Sequence, residues 1–395
     1  MEELLVYLKT LPWPVLAFVA YTCVWFVSMV RNMGYRRLAK LVAANQLPTA
    51  SEEAVSVVLL YEGEEELLRQ RLPVFLGQQY SRFEVILACA TPLSANTQSY
   101  LQGMQYAYPN LQIVPLPAHV LDISAYNLVL TLGMRAARHA WVLLSGISSM
   151  PAGEHWLATM ASYIRKDKHV VVGVANTASA RGFARHKYAF LRYWRQFLVL
   201  LWGQEHKHVL VSPQNLLLDK AFFLEKGGLA VGAGLRRGAV ELAVNRYTNK
   251  GDVARCLCPE AFVITDLPKD SAQCGEFQLV EHDVWRRLRW SLWLDLCSLS
   301  HAVLTWAHSA FFVIALASLV LQPNPLWWLI SAVVLMWLLH ALSRDIFFHQ
   351  SLRALRLPSM HLSLPFMLHL QPVWTLALRC RYRRFDKRNF RKQFV

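Results

Sequence analysis

Trp13 to Val30 reads WPVLAFVAYTCVWFVSMV, a run with no charged side chain. Wound as a helix it reaches about 27 Å, close to the hydrocarbon thickness of a bilayer, and a helix is the form in which one segment satisfies its own backbone in lipid. A cleaved secretory signal carries positive charge in front and a small-residue cleavage site behind. Here Glu2 and Glu3 lead, while Arg31, Arg36, Arg37 and Lys40 follow. The pattern predicts an N-terminal segment at 1–12 and an uncleaved transmembrane anchor at 13–30, with the N-terminus outside and the next domain in the cytoplasm.

Two more apolar runs, 302–321 and 326–342, flank the four residues QPNP and read as antiparallel transmembrane helices joined by a tight turn. Ahead of them, VWRRLRWSLW mixes Trp with Arg, which predicts an interfacial helix over 286–301. Residues 359–378 are apolar but contain Pro365, Pro372, His361 and His369; they are expected to form an interfacial or re-entrant segment. Were they to span, the tail at 379–395 would finish outside, against the positive-inside bias. That tail holds eight Lys or Arg and one Asp between Arg379 and Lys392, within a chain of net charge +15. Its aromatics Tyr382, Phe385, Phe390 and Phe394 suit base stacking, but its place after an apolar segment assigns it to anionic lipid rather than nucleic acid. A hydrophobic share of 55% and fourteen Trp fit a chain partly in lipid.

Between these segments, residues 54–285 alternate β-branched runs with amphipathic stretches. AVSVVLL, FEVILACA, LQIVPL, AWVLLS and HVVVGVA read as strands. EEELLRQRLPVFLGQQY places Leu67, Leu68, Leu72, Phe75 and Leu76 on one helical face. The rhythm predicts an α/β domain with a mostly parallel sheet covered on both sides. Seven separate Cys with no CxxC pair exclude a zinc ribbon or a disulfide scaffold and read as reduced thiols. Gly227, Gly228 and the run Gly232 to Gly234 lack the strand-to-helix spacing of a phosphate loop and read as turns. His155, His206 and His208 are scattered and read as surface or core histidines.

Three stretches carry a resemblance. AVSVVLLYEGEEELLRQRLPVFLGQQYSRFEVILACA is similar to the opening strand, acidic turn, helix and second strand of the family-2 glycosyltransferases. LVLTLGMRAARHAWVLLSGISSMP resembles the helix and strand that lead in that family to an Asp-x-Asp. NLLLDKAFFLEKGGL, with RRGAVELAVNRYTNKGDVARCLCPEAFVITDLPK, resembles its acceptor-side half. The resemblance implies a GT-A fold, Rossmann-like with a mostly parallel sheet, in the membrane-bound branch of the family. It also implies a nucleotide-sugar groove and a Mg or Mn ion that offsets charge on the departing diphosphate.

Set against that pattern, this chain has lost its acidic positions. The two aspartates of Asp-x-Asp fall at Gly146 and Ser148, and the nucleoside-contacting Asp at Ala90. A glycine and a hydroxyl do not replace two charges on a hard cation, so no metal or other cofactor is expected. The catalytic base falls at Val240, leaving Glu241 as a weak substitute that helix geometry turns about 100° away. A Gln-x-x-Arg-Trp element is matched by Gln278 to His282, with Glu281 in the place of a cation, an anion that would repel a diphosphate. Glu64 reads either as a nucleotide contact or as a first-turn helix charge, and Asn127 either as a diphosphate-side residue or as a polar turn residue. By position, then, the groove would include Glu64, Ala90, Asn127, Gly146, Ser148, Gln278 and His282. These readings predict a catalytically degenerate glycosyltransferase-like subunit of polysaccharide or glycolipid assembly in a bacterial inner membrane, with a glycan-assembly protein as partner. The alternative is an active, metal-independent inverting enzyme using a nucleotide or polyprenyl-phosphate sugar.

Overall fold

The computed structural model describes residues 12–45, 48, 51–117, 124–202, 212–289, 291–360 and 363–385. His206, His208 and His361, most of the 1–12 segment and the tail beyond 385 lie outside them. The elements follow in the order α1 (Trp13–Ala43), β1 (Val55–Tyr61), α2 (Glu65–Leu76), β2 (Phe83–Cys89), α3 (Ala95–Ala107), β3 (Leu111–Val114), α4 (Ala125–Ala136) and β4 (Trp141–Gly146). Then come β5 (Ser149–Pro151), α5 (Trp156–Ala161), β6 (Val170–Gly173), β7 (Ala175–Thr177), α6 (Phe183–Trp202), β8 (Leu216–Asp219), α7 (Lys220–Glu225), α8 (Ala239–Tyr247), β9 (Val253–Cys256) and β10 (Val263–Thr265). The chain ends with α9 (Ser271–Arg287), α10 (Ser291–Val320), α11 (Trp327–Ala354) and α12 (Leu364–Arg384). It divides into two compact units, 1–41 with 292–377 and 42–291 with 378–395.

The larger unit is built on a seven-stranded sheet of order β3-β2-β1-β4-β8-β6-β9. Every residue of β1 is buried, and alternate side chains enter different cores. Val55, Val57, Leu59 and Tyr61 meet Leu68, Leu72, Phe75 and Leu76 of α2, with Trp156 and Met160 of α5 in the same core. Val58 and Leu60 meet α4 and α8 through Val129, Leu130, Val240 and Val244. A strand covered on both faces has no polar side to show, which is why VSVVLLY reads as a continuous apolar run. Its one polar residue, Ser56, donates to Glu84 Oε1 at 2.6 Å, and Glu84 also accepts the Arg138 N–H at 2.7 Å. The α4 helix lies close against β1: a Cβ added at Gly133 would stand 2.8 Å from Val58 Cγ1.

The sheet is parallel from β3 through β4, and β6 is parallel to β9, but β8 runs antiparallel to both β4 and β6. A second, three-stranded sheet has the order β5-β10-β7. The chain moves from β1 outward to β2 and β3, then returns to the other side of β1 as β4. A crevice is expected where such a sheet reverses direction, at the carboxyl ends of β1 and β4.

In the smaller unit α1, α10 and α11 are each long and apolar enough to cross a membrane. Tyr21, Ala315, Leu319, Leu329 and Val333 form their shared core, and Trp25 Nε1 donates to the Met336 carbonyl at 2.6 Å. Large apolar side chains on their outer faces, Phe26, Trp327, Trp328 and Leu335 among them, are exposed. Residues 286–301 do not form a helix of their own, since Arg286 and Arg287 close α9 and Ser291 opens α10. The 359–378 stretch lies largely within α12, which continues through Pro372 to Arg384 and so takes in the first basic residues of the tail.

Candidate functional site

At the carboxyl end of β1 the chain turns through Glu62, Gly63 and Glu64 into α2. Gly63 takes φ 104°, and Glu64 Oε2 accepts the Glu62 N–H at 3.1 Å. Glu64 occupies the position just before the first turn of α2, with no side-chain bond capping the helix, so it is not a charge inside that turn. Glu62 accepts from Arg237 Nη2 at 2.6 Å, and the Arg237 guanidinium lies over the rings of Tyr126 and Phe277, 5.3 and 5.0 Å from their centroids. Burial raises the Glu62 carboxyl above its ordinary pKa, and Arg237 offsets part of that rise. Ala90 follows β2, donating its N–H to the Tyr61 carbonyl at 2.8 Å and presenting only a methyl group.

Gly146 closes β4, and its missing side chain is replaced in space by Gln214. A Cβ at Gly146 would stand 2.6 Å from Gln214 Oε1. The glutamine is held there: Ser149 Oγ donates to Gln214 Oε1 at 2.8 Å, and Ser145 Oγ donates to the Gln214 carbonyl at 2.9 Å. Next to it, the Ser148 carbonyl accepts the Asp266 N–H at 3.0 Å. The Asp266 carboxylate is engaged by Arg71 at 2.7 Å, and Arg71 also donates to the Ile147 carbonyl at 2.9 Å. A divalent cation needs several oxygen ligands and net negative charge. The residues around Gly146 and Ser148 do not fit one: a neutral amide fills the first position, and the carboxylate beside the second is already paired with a guanidinium. Among the described residues no group of three His, Cys, Asp or Glu is placed to hold a metal.

On the α8 and α9 side, Val240 is fully buried in the core beneath the sheet. Glu241, one residue on, is half-buried; its Oε2 has no contact with solvent and no hydrogen-bond partner. Burial, with Glu281 adding to it, pushes its carboxyl up to about 7 against the weaker pull of Arg237 and Arg192. Glu281 is not the free anion the sequence suggested. It accepts from Arg195 at 3.0 Å and Tyr188 Oη at 2.7 Å, with Arg192 at 3.8 Å. The repulsion expected from a bare carboxylate is therefore neutralised by α6. Gln278 and His282 are buried within the unit, and His282 meets the Tyr382 ring edge-on at 5.1 Å. Burial, helped by Arg195, Arg379 and Arg286, lowers the His282 imidazole to about 4.

Asn127 is not a turn residue. It lies inside α4, 1% exposed, and donates to the carbonyls of Leu235 at 2.7 Å and Gly232 at 3.3 Å, so it ties the helix to the turn before α8. The structure thus brings Glu62, Glu64, Ala90, Gly146 and Ser148 to the carboxyl ends of β1, β2 and β4, and places Asn127, Gln278 and His282 in packing positions. Sequence reasoning missed Gln214, Arg71, Asp266 and Arg237. Of these only Arg237, in a doublet just before the expected base, carried a signal in the sequence.

No model of a known protein family matches the chain, and no curated protein sequence matches it. Solved structures do. The mannosyltransferase PcManGT from Pyrobaculum calidifontis, in complex with GDP-Man and Mn2+, aligns at a TM-score of 0.50 with 13% identity, covering 91% of this chain and 98% of that one. A structure of S. aureus TarS, residues 1–349, aligns at 0.41 with 13% identity over 82% and 88% of the two chains. GalNAc-T7 with UDP, GalNAc and Mn2+ aligns at 0.40 with 12% identity over 55% and 45%. Together with the strand order, the first of these likenesses shows the architecture: this chain has the GT-A glycosyltransferase fold, accompanied by three helices long and apolar enough to cross a membrane.

Proposed function

We propose that this protein is a membrane-anchored, family-2-like glycosyltransferase that has lost metal-dependent sugar transfer and serves as a subunit of polysaccharide or glycolipid assembly in a bacterial inner membrane. One observation carries the reading. The space of the first metal-binding carboxylate is taken by the Gln214 side chain, whose Oε1 accepts from Ser149 while the Gln214 backbone carbonyl accepts from Ser145. A site that had merely lost one ligand would leave a gap; here the chain has built its own polar filling. The main domain faces the cytoplasm with the N-terminus outside. The exposed Arg383 and Arg384 at the end of α12, turned away from buried Leu378 and Tyr382, meet anionic lipid. Calorimetry on the detergent-solubilised protein with UDP- and GDP-sugars and Mn2+ is expected to give no metal-dependent heat. Micromolar binding that disappears on chelation would sink the reading.

A second reading rests on Glu241, whose carboxyl titrates near neutrality and keeps one oxygen without a partner. Those are the properties of a general base, and they fit a metal-independent inverting transfer from a nucleotide or polyprenyl-phosphate sugar. Radiolabelled sugar transfer in membranes that is abolished in Glu241→Gln supports it; transfer indifferent to that change removes Glu241 from any mechanism.

A further inference from the structure

The three long apolar helices hold the half-buried guanidinium of Arg31 and the buried one of Arg344, and neither makes a salt bridge to a carboxylate among the described residues. Arg31 of α1 donates to the His301 carbonyl at 2.8 Å and to Thr305 Oγ1 at 3.1 Å, both neutral, and its Nε is buried without a partner. Arg344 of α11 is 8% exposed and has no hydrogen-bond or ion-pair partner among the described residues. Its neighbour in sequence, Asp345, pairs instead with His349 at 3.3 Å. Arg31, Arg344 and the Tyr35 hydroxyl lie within electrostatic reach of one another, and that hydroxyl bonds His301 Nε2 at 2.8 Å.

Arg344 has only the electrostatic pull of Asp345, a carboxylate shared with His349, and Arg31 has only neutral hydrogen-bond partners; two cations so weakly compensated in one apolar bundle are costly to bury unless a further anion joins them. The level at which they sit says which anion. Arg31 lies about 27 Å along α1 from Trp13, and Arg344 about 26 Å along α11 from Trp327. His301 lies about 28 Å along α10 from Val320. All three stand close to one hydrocarbon thickness, roughly 30 Å, from the far ends of their helices, which is the depth of lipid headgroups at the opposite face. We propose that Arg31 and Arg344 form a binding site for the phosphate of an anionic lipid, with the planar guanidinium forks supplying paired N–H donors to its oxygens. The site rests on reading these helices as membrane-spanning and is independent of whether sugar transfer survives.

Native mass spectrometry of the full-length protein tests this, with dioleoyl phosphatidic acid and phosphatidylcholine as probes. Wild type is expected to retain phosphatidic acid at least tenfold more strongly. Arg31→Met and Arg344→Met should each erase that preference, while Arg353→Met, at an exposed arginine of the same helix, should keep it. Equal retention of the two lipids by wild type, or unaltered retention by Arg344→Met, overturns the proposal. So does displacement of phosphatidic acid by inorganic phosphate, which would make free phosphate the ligand. Melting curves separate a structural role: in phosphatidylcholine alone, Arg344→Met should melt no lower than wild type, and phosphatidic acid should raise the melting temperature of wild type only. A variant that melts several degrees lower without phosphatidic acid makes Arg344 a structural residue and also overturns the proposal.

Discussion

Glu241 and His282 bend the pH dependence of stability in opposite directions, and each can be removed separately. The Glu241 carboxyl titrates near 7 when folded and near 4.5 when unfolded. Between those values the folded state holds a proton that the unfolded state has released, so this residue's contribution to stability falls as pH rises from about 4.5 to 7 and is constant above. Glutamine mimics the protonated form. Glu241→Gln is therefore expected to match wild type at pH 4 and to exceed it by roughly 3 kcal/mol at pH 8, read from urea unfolding in mild detergent. Equal stability at pH 8 would contradict the burial of that carboxyl. His282 titrates near 4 folded and near 6.5 unfolded; its contribution rises with pH across that window and is lost in acid, so His282→Asn should flatten the acid limb. Restoring a carboxylate is a harsher change. Gly146→Asp sets a Cβ 2.6 Å from Gln214 Oε1 and should cost about 1–3 kcal/mol, recovered in large part by adding Gln214→Ala; a tolerated single change would show that the glutamine moves aside freely. At this scale the sequence located Gly146, Ser148 and Ala90, because they stand at or just beyond strand ends marked by apolar runs. It did not display what surrounds them. Gln214 and Asp266 are remote in sequence from β4 and meet it only through the sheet order, and the pairing of Glu281 with Arg192 and Arg195 needs two helices to pack.

The elements that were legible share one property: their burial is recorded in their own residues. β1, β2, β4 and β6 are covered on both faces and read as runs of Val, Ile and Leu, and α2 shows its apolar stripe directly. β8 is the exception. Its four residues LLLD are of helix-forming type and pass straight into a helix capped by Asp219, so only pairing with β4 and β6 makes them a strand. That pairing is prepared by Asn215, which precedes β8 and is fully buried. It accepts from Trp156 Nε1 at 3.1 Å and donates to the carbonyls of Val174 at 2.9 Å and Ala261 at 2.7 Å. One side chain thereby links α5, the β6–β7 junction and the approach to β10. Asn215→Ala leaves Trp156 Nε1 and the Ala261 carbonyl without their bonds, while the Val174 carbonyl keeps the Val263 N–H; it is expected to lower stability by about 2 kcal/mol, with faster hydrogen exchange in β6 and β8 than in β1. Uniform exchange across the sheet would show that Asn215 does not hold this edge.

For the whole molecule, the proposed topology assigns a side to each part: α1, α10 and α11 are long and apolar enough to cross a membrane. On that proposal, with the N-terminus outside, α1 would deliver the α/β unit to the cytoplasm, α10 would lead out, α11 would return, and the basic residues of α12 would finish on the cytoplasmic side. The charge distribution agrees with that path: Arg31, Arg36, Arg37 and Lys40 follow the first apolar run, while QPNP between the second and third carries no charge. The native cysteines suit a test, because Cys89, Cys256, Cys258 and Cys274 are buried whereas Cys380 is exposed beside the basic face of α12. A membrane-impermeant maleimide should modify Cys380 in inverted vesicles and leave it untouched in intact cells. A cysteine introduced as Asn324→Cys, in the turn between α10 and α11, should show the reverse. Labelling of Cys380 from outside would require an odd number of crossings between the α/β unit and α12, or the reverse orientation of the whole path, and would leave the arginines of α12 facing away from the anionic leaflet that the charge pattern requires.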